Sequence, residues 1–247
     1  MPKPLTLLRI AAAAVVLSLG FASDAHAQSF TTFDPPGSTS TDPVSINKSG
    51  VITGSYLHSS GWHGFVRDAG GTITTFDPPG SKNTYASSIN KAGAITGNYD
   101  NPLNVSHGFL RDAGGTITSF DVPGSAFTEP TSVNDKGVIT GFYSPPQSDV
   151  NHGFVRDAGG TFTLFDVPGS TGATPVSINK KGAITGVYGD SFNVGHGFVR
   201  DAGGTITSFD PPGSLLTGPS SVNGKGAITG FYDDTSGAAH GFVRTAK

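Results

Sequence analysis

Five histidines recur along the chain at nearly even spacing, His63, His107, His152, His196 and His240, each followed by Gly-Phe. Histidine is the commonest metal ligand and titrates near neutral pH, so a shared metal centre is the first chemistry to weigh. Equivalent atoms on a ring of five repeats are held about 1.2 ring radii apart, whereas one zinc ion needs every donor within roughly 2 Å. The pattern therefore predicts histidines hydrogen-bonded inside each repeat and no metal site.

Carboxylates sort the same way. Beyond residue 27, five aspartates follow a repeated Phe (Asp34, Asp77, Asp121, Asp166, Asp210) and four follow a repeated Arg (Asp68, Asp112, Asp157, Asp201), a periodicity that suits turn caps better than catalysis. Eight others are unrepeated: Asp42, Asp100, Glu129, Asp135, Asp149, Asp190, Asp233 and Asp234. A glycosidase needs two carboxyls in unlike environments. Glu129, the single glutamate, is the one weak catalytic candidate, with Asp42 or Asp190 as its expected partner. The stronger candidates are aromatic. Trp62, Tyr85, Phe127 and Phe192 fall in expected connections rather than at repeated core positions, and a ring face offers apolar area to a sugar or peptide; with Asp190 they form the expected ligand-binding set. Burial of these rings as loop plugs is the competing reading.

The elements that must position these groups come from one unit copied five times. Phe-Asp recurs at Phe33, Phe76, Phe120, Phe165 and Phe209, giving a period of 43 to 45 residues that accounts for 28–247. Periods of that size with strand patterning read as propeller blades. In the second unit, strands A to D are expected over 86–90, 94–99, 107–112 and 116–121, joined in pairs by Asn90-Lys91-Ala92-Gly93 and Ala113-Gly114-Gly115, whose glycines supply the positive φ of tight hairpins. The expected fold is all-β: a five-bladed β-propeller with four antiparallel strands per blade, the N-terminal strand at 29–33 completing the last blade, since the chain stops after a C strand. The serine repeated in strand A (Ser45, Ser88, Ser132, Ser177, Ser221) suits a crowded axis that needs small side chains; hydroxyls or amides there could also hold water or an anion.

The order His-Gly-Phe, Gly-Gly, Pro-Gly, Ser-Ile-Asn (or Ser-Val-Asn) and Ile-Thr-Gly resembles the bacterial extracellular repeat family called HAF, after its His-Ala-Phe signature. The resemblance covers nearly all of 28–247 and implies export and repeat architecture rather than an activity. This chain departs from the pattern with Gly after each His, and with Arg67, Arg111, Arg156, Arg200 and Arg244 where the family often has Trp.

Residues 1–27 read as a secretory signal peptide: Lys3 and Arg9, an apolar run over 10–22, then Ala25-His26-Ala27 as the cleavage site. That run is shorter than the roughly 20 residues of a spanning helix, so a secreted or periplasmic protein with no membrane span after cleavage is expected. The 247 residues include no Cys, which excludes disulfides and thiol chemistry, and the net charge of -3 gives no field to draw in nucleic acid. No phosphate loop, nucleophile elbow or other cofactor motif occurs, so no cofactor is expected.

Spacing varies in one place. From the strand B Tyr to the His, the interval runs 7, 8, 9, 8 and 8 residues, while the other intervals between signposts are constant. In a propeller the B-to-C and D-to-A connections share one face, and loops on a rigid scaffold are where binding usually resides. The expected protein is thus a monomeric binding module for extracellular carbohydrate or peptide, with a glycoside-hydrolase-like enzyme and a purely structural repeat as alternatives.

Overall fold

The computed structural model describes residues 29–192 and 194–245. The leader 1–27 lies outside the described residues. The chain divides into Met1–Thr32 and Phe33–Lys247. Within the first unit the described residues, 29–32, carry no strand.

The second unit is built from five sheets. The first orders β1 (Ser40–Ile46), β2 (Ile52–His58), β3 (Gly61–Arg67) and β4 (Ile73–Phe76) side by side. The second repeats this with β5 (Asn83–Ile89), β6 (Ile95–Asp100), β7 (Ser106–Arg111) and β8 (Ile117–Phe120), and the third with β9 (Phe127–Val133), β10 (Ile139–Ser144), β11 (His152–Arg156) and β12 (Phe162–Phe165). The fourth comprises β13 (Gly172–Ile178), β14 (Ile184–Gly189), β15 (Gly195–Arg200) and β16 (Ile206–Phe209), and the fifth β17 (Ser214–Val222), β18 (Ile228–Asp234) and β19 (Ala239–Arg244). All neighbours are antiparallel, and each sheet is a meander of blade type. No helix of the described residues is long and apolar enough to cross a membrane.

Strands B to D stand within a residue of their expected bounds. Strand A begins earlier: Asn83, Thr84 and Tyr85 pair with Asp100, Tyr99 and Asn98, and a bulge follows at Ala86/Ser88. Tyr85 and Phe127 are therefore strand residues, and so is Trp62 in β3; of the four selected aromatics only Phe192 lies in a connection.

The expectation that the leading segment completes the last sheet is corrected. That sheet has three strands. Phe33 instead packs edge-on against Phe65 of the first sheet, centroids 5.9 Å apart. This is the contact that Phe76, Phe165 and Phe209 make with Phe109, Phe198 and Phe242 of the sheet that follows each.

Each inner strand packs on the preceding sheet, β5 on β1 to β3 and so on to β17 on β13 to β15, and no comparable packing joins the fifth sheet to the first. The junctions repeat one chemistry. Asn47 Nδ2 donates to the Asn90 carbonyl (3.2 Å), Asn90 to Asn134 (3.1 Å), Asn134 to Asn179 (3.1 Å) and Asn179 to Asn223 (2.9 Å). The Oδ1 of each of these donors accepts from amides of its own A-to-B turn, so one side chain caps the hairpin and ties it to the next. The repeated serine is more than filler, because Ser45, Ser88, Ser132 and Ser177 accept from the backbone N–H of Ile89, Val133, Ile178 and Val222.

The arginines are used at the same junctions. Each guanidinium, from Arg67 to Arg244, lies 4.6 to 5.1 Å over a Phe of the preceding unit, a cation–π contact rather than an ion pair. Glycine after four of the five His, at Gly64, Gly108, Gly153 and Gly197, has a packing reason. A Cβ at Gly64 would stand 2.6 Å from the Phe76 ring, and one at Gly153 would stand 2.5 Å from Phe165.

Candidate functional site

The B-to-C and D-to-A connections meet on one side of the sheets, as expected. Lys82 N donates to the Asp100 carbonyl, Ala126 N to Ser144 and Thr171 N to Gly189. The A-to-B and C-to-D turns gather on the other side, where a Cβ on Gly50, Gly137 or Gly182 would touch Ala69, Ala158 or Ala202.

On the variable side, residues of the first three sheets converge on Asp100, the last residue of β6. Trp62 N donates to Asn83 Oδ1 (3.2 Å), and Asn83 Nδ2 donates to Asp100 Oδ2 (3.3 Å). The Trp62 and Tyr85 rings, from adjacent units, lie 6.2 Å apart at an interplanar angle of 39°. Burial, and then the charge of Asp100, pushes the Tyr85 hydroxyl up. The same two causes in the same order push the Glu129 carboxyl above its ordinary range. Lys82 adds a cation nearby, with Nζ donating to Asn104 Oδ1 at 2.7 Å.

Three of the selected residues, Trp62, Tyr85 and Glu129, are thus brought together, and the group that unites them was not selected. Asp100 opens the connection of variable length directly after the strand B tyrosine, which is the signal that marks it. Of the acids weighed as partners for Glu129, Asp42 lies on β1 and Asp190 follows β14, and the carboxylate whose charge acts on Glu129 is Asp100. Phe127 shares β9 with Glu129 two residues away and meets the Phe142 ring edge-on at 6.1 Å. Phe192 is 84% exposed, so it is not a loop plug.

Asp190 serves its own turn. Its Oδ1 accepts from Phe192 N (2.8 Å) and Val194 N (2.9 Å), and its Oδ2 lies 3.5 Å from His196 Nε2. Those amides, Val194 first, together with the His196 contact outweigh burial, which opposes them, and hold its carboxyl below the ordinary range. Leu103, like Phe192, is exposed on a connection of this side, and Leu215 is exposed at the start of β17, which gives it apolar tips around a polar centre.

Four of the five repeated histidines are tied to aspartates of their own sheets. His63, His107, His152 and His196 donate through Nδ1 to Asp77, Asp121, Asp166 and Asp210 at 2.6 to 2.9 Å. The ring of each lies against the strand B tyrosine. Asp77 and Asp210 also accept from Thr84 and Thr217 of the next inner strand, which links His, Asp and the following sheet. Asp68, Asp112, Asp157 and Asp201 cap the C-to-D turns through amides of Thr72, Thr116, Thr161 and Thr205, and these bonds hold their carboxyls low. Among the described residues no cluster of three or more His, Asp and Glu is placed to hold a metal ion.

No protein-family model matches the chain, and no curated protein matches it significantly. Among solved structures, the chain is similar to TolB from Acinetobacter baumannii, with 15% identity and a TM-score of 0.59 over 82% of this chain and 51% of that one. It spans about half the length of the TolB chain it matches. Aleuria aurantia lectin, solved with α-methyl-L-fucoside, aligns at 13% identity and a TM-score of 0.48 over 82% of this chain and 72% of that one. A catalytically inactive virginiamycin B lyase from Staphylococcus aureus, solved with quinupristin, aligns at 13% identity and a TM-score of 0.43 over 82% of this chain and 84% of that one. The likeness to TolB is one of fold: five blade-like antiparallel sheets of the β-propeller kind.

Proposed function

We propose that this chain is an exported binding module of the HAF repeat kind. Its five sheets are the blades of one five-bladed propeller, open between the first and the last. The ligand is an extracellular carbohydrate, taken on the side where the B-to-C and D-to-A connections meet. The observation that carries this reading is the meeting of Trp62 and Tyr85 from adjacent units beside the Asn83–Asp100 pair. Two aromatic rings give a sugar its apolar contact, and a carboxylate with an amide gives its hydroxyls oriented partners. The signal-like leader supports export.

A glycan array and a cell-wall pulldown test it. Wild type retains a glycan that Trp62→Ala, Tyr85→Ala loses by tenfold or more, and equal retention by both overturns the reading; a Phe192→Ala variant reports whether the exposed ring belongs to the same surface. A second reading, a glycan-cleaving enzyme, is favoured by one observation: burial, and then the charge of Asp100, raises the Glu129 carboxyl, the direction a general acid needs. Hydrolysis that is unchanged in Glu129→Gln rules it out.

A further inference from the structure

The uniform side, opposite the proposed ligand face, carries an unexpected concentration of cations. Beyond residue 27 the chain has five arginines and eight lysines. All five arginines lie over phenylalanine rings at the junctions. Of the lysines, Lys48, Lys91, Lys136, Lys180, Lys181 and Lys225 occupy A-to-B turns, directly after the asparagine ladder or one residue further on, and the only acid in those turns is Asp135. Lys82 lies on the other side, bonded to Asn104.

The turns surround a cavity. Where the inner strands of the first four sheets end, a space of about 210 Å³ is lined by the Asn47, Asn90 and Asn134 rungs of the ladder and by Lys48, Lys91 and Lys180. These lysines come from three different sheets and are all exposed. Asp135 also lines the space, but one of its oxygens is engaged, with Oδ1 accepting from Lys91 N at 3.0 Å. The other acids on this side, Asp68, Asp112, Asp157 and Asp201, sit in the C-to-D turns. Each caps its own turn through its carboxylate and follows an arginine in sequence, so they offset charge at the rim rather than at the cavity.

We propose that this cavity is a binding site for a small oxyanion bearing two or more negative charges, a phosphate or a polycarboxylate. Lys48, Lys91 and Lys180 border a space of small-molecule size whose walls carry amides, and a compact multivalent anion is the ligand whose charge such a set of cations matches. A chain of net negative charge that gathers six of its lysines on one set of turns presents a local positive field to such a ligand. This site is separate from the Trp62–Tyr85–Asp100 group, and neither depends on the other.

Titration calorimetry of the full protein with inorganic phosphate and with citrate tests it, the two probes separating phosphate from carboxylate recognition. Saturable binding of one probe per chain is expected, weakening with added salt. Each of Lys48→Gln, Lys91→Gln and Lys180→Gln raises Kd about fivefold, the value for one exposed ion pair at the upper end of its range, and the triple variant about a hundredfold. Lys82→Gln leaves Kd unchanged, and Asp135→Asn, which keeps the acceptor for Lys91 N, lowers it about fivefold. The proposal is overturned by the absence of saturable binding for both probes, by a triple variant that binds as wild type, or by an Asp135→Asn that binds no tighter.

Discussion

Ile46 and Ile178 end the inner strands β1 and β13 at the same position of the repeat, yet Ile46 is 65% exposed and Ile178 only 6%. Ile178 packs in the cluster of Val167, Ile184 and Phe198 with Val138 and Val155 against it, whereas no sheet covers β1 on that side. Truncation to alanine at Ile178 removes the transfer energy of the lost methyl and methylene groups and leaves a cavity, together about 3 kcal/mol. At Ile46 only about a third of the transfer contribution applies and no cavity forms, so the cost is about 0.7 kcal/mol. At roughly 2 to 4 °C per kcal/mol for a domain of this size, Tm falls by about 9 °C for Ile178→Ala and about 2 °C for Ile46→Ala. Thermal melts followed by tryptophan fluorescence and circular dichroism read the difference. Equal losses at the two sites would refute the reasoning, because they would mean that β1 in solution is covered as the other inner strands are.

Three further outcomes follow from the junctions. Gly153→Ala drives a methyl into the Phe165 ring and costs about 2 kcal/mol, while Gly241→Ala, whose Cβ would meet nothing nearer than 4.0 Å, is close to neutral; chemical denaturation midpoints of the two variants check this. Asn134→Ala loses a turn cap and the donation to the Asn179 carbonyl, costing about 2 kcal/mol, and Asn223→Ala, last in the ladder and exposed, loses only its cap, at about 1 kcal/mol; the same measurement separates them. Burial pulls His196 down, but the hydrogen bonds and charges of Asp210 and Asp190 outweigh it and raise the imidazole above its usual 6.5. A raised folded value means that the stabilisation is full below about pH 6.5 and is lost as pH rises through the folded value. In an NMR titration, Asp210→Asn lowers the His196 midpoint, and an unmoved midpoint refutes the assignment.

Much of the architecture was legible because it was written five times. Recurrence of His-Gly-Phe and of Phe-Asp at near-constant intervals located strands C and D and argued against a metal shared by the histidines, since equivalent groups on successive sheets do not converge. What escaped was the extent of strand A. Residues 80–84, Gly-Ser-Lys-Asn-Thr, read as turn and loop chemistry, and it is the pairing of 83–85 with residues 98–100 that extends the strand, a tertiary fact. With Tyr85 and Trp62 taken as loop residues, the convergence on Asp100 could not be seen, because it depends on neighbouring sheets bringing β3, β5, β6 and β9 together. The place of Phe33 was likewise ambiguous in sequence: a leading strand of D type satisfies the pattern both as the edge of the last sheet and as a ring pressed on the first. The asparagine was expected to end strand A; its second bond, 43 to 45 residues onward, required the stacking of sheets.

At each of the four junctions an asparagine donates to a carbonyl of the following sheet and a serine accepts from one of its amides. These bonds draw on backbone groups of the following sheet, so this part of the junction does not depend on that sheet's side chains. Such an array is modular in the strict sense: excising or duplicating one whole period leaves each surviving junction chemically intact. The number of sheets is then set by how often the unit was copied, which lets a lineage of such chains grow or shrink by 44 residues at a time without redesigning a core.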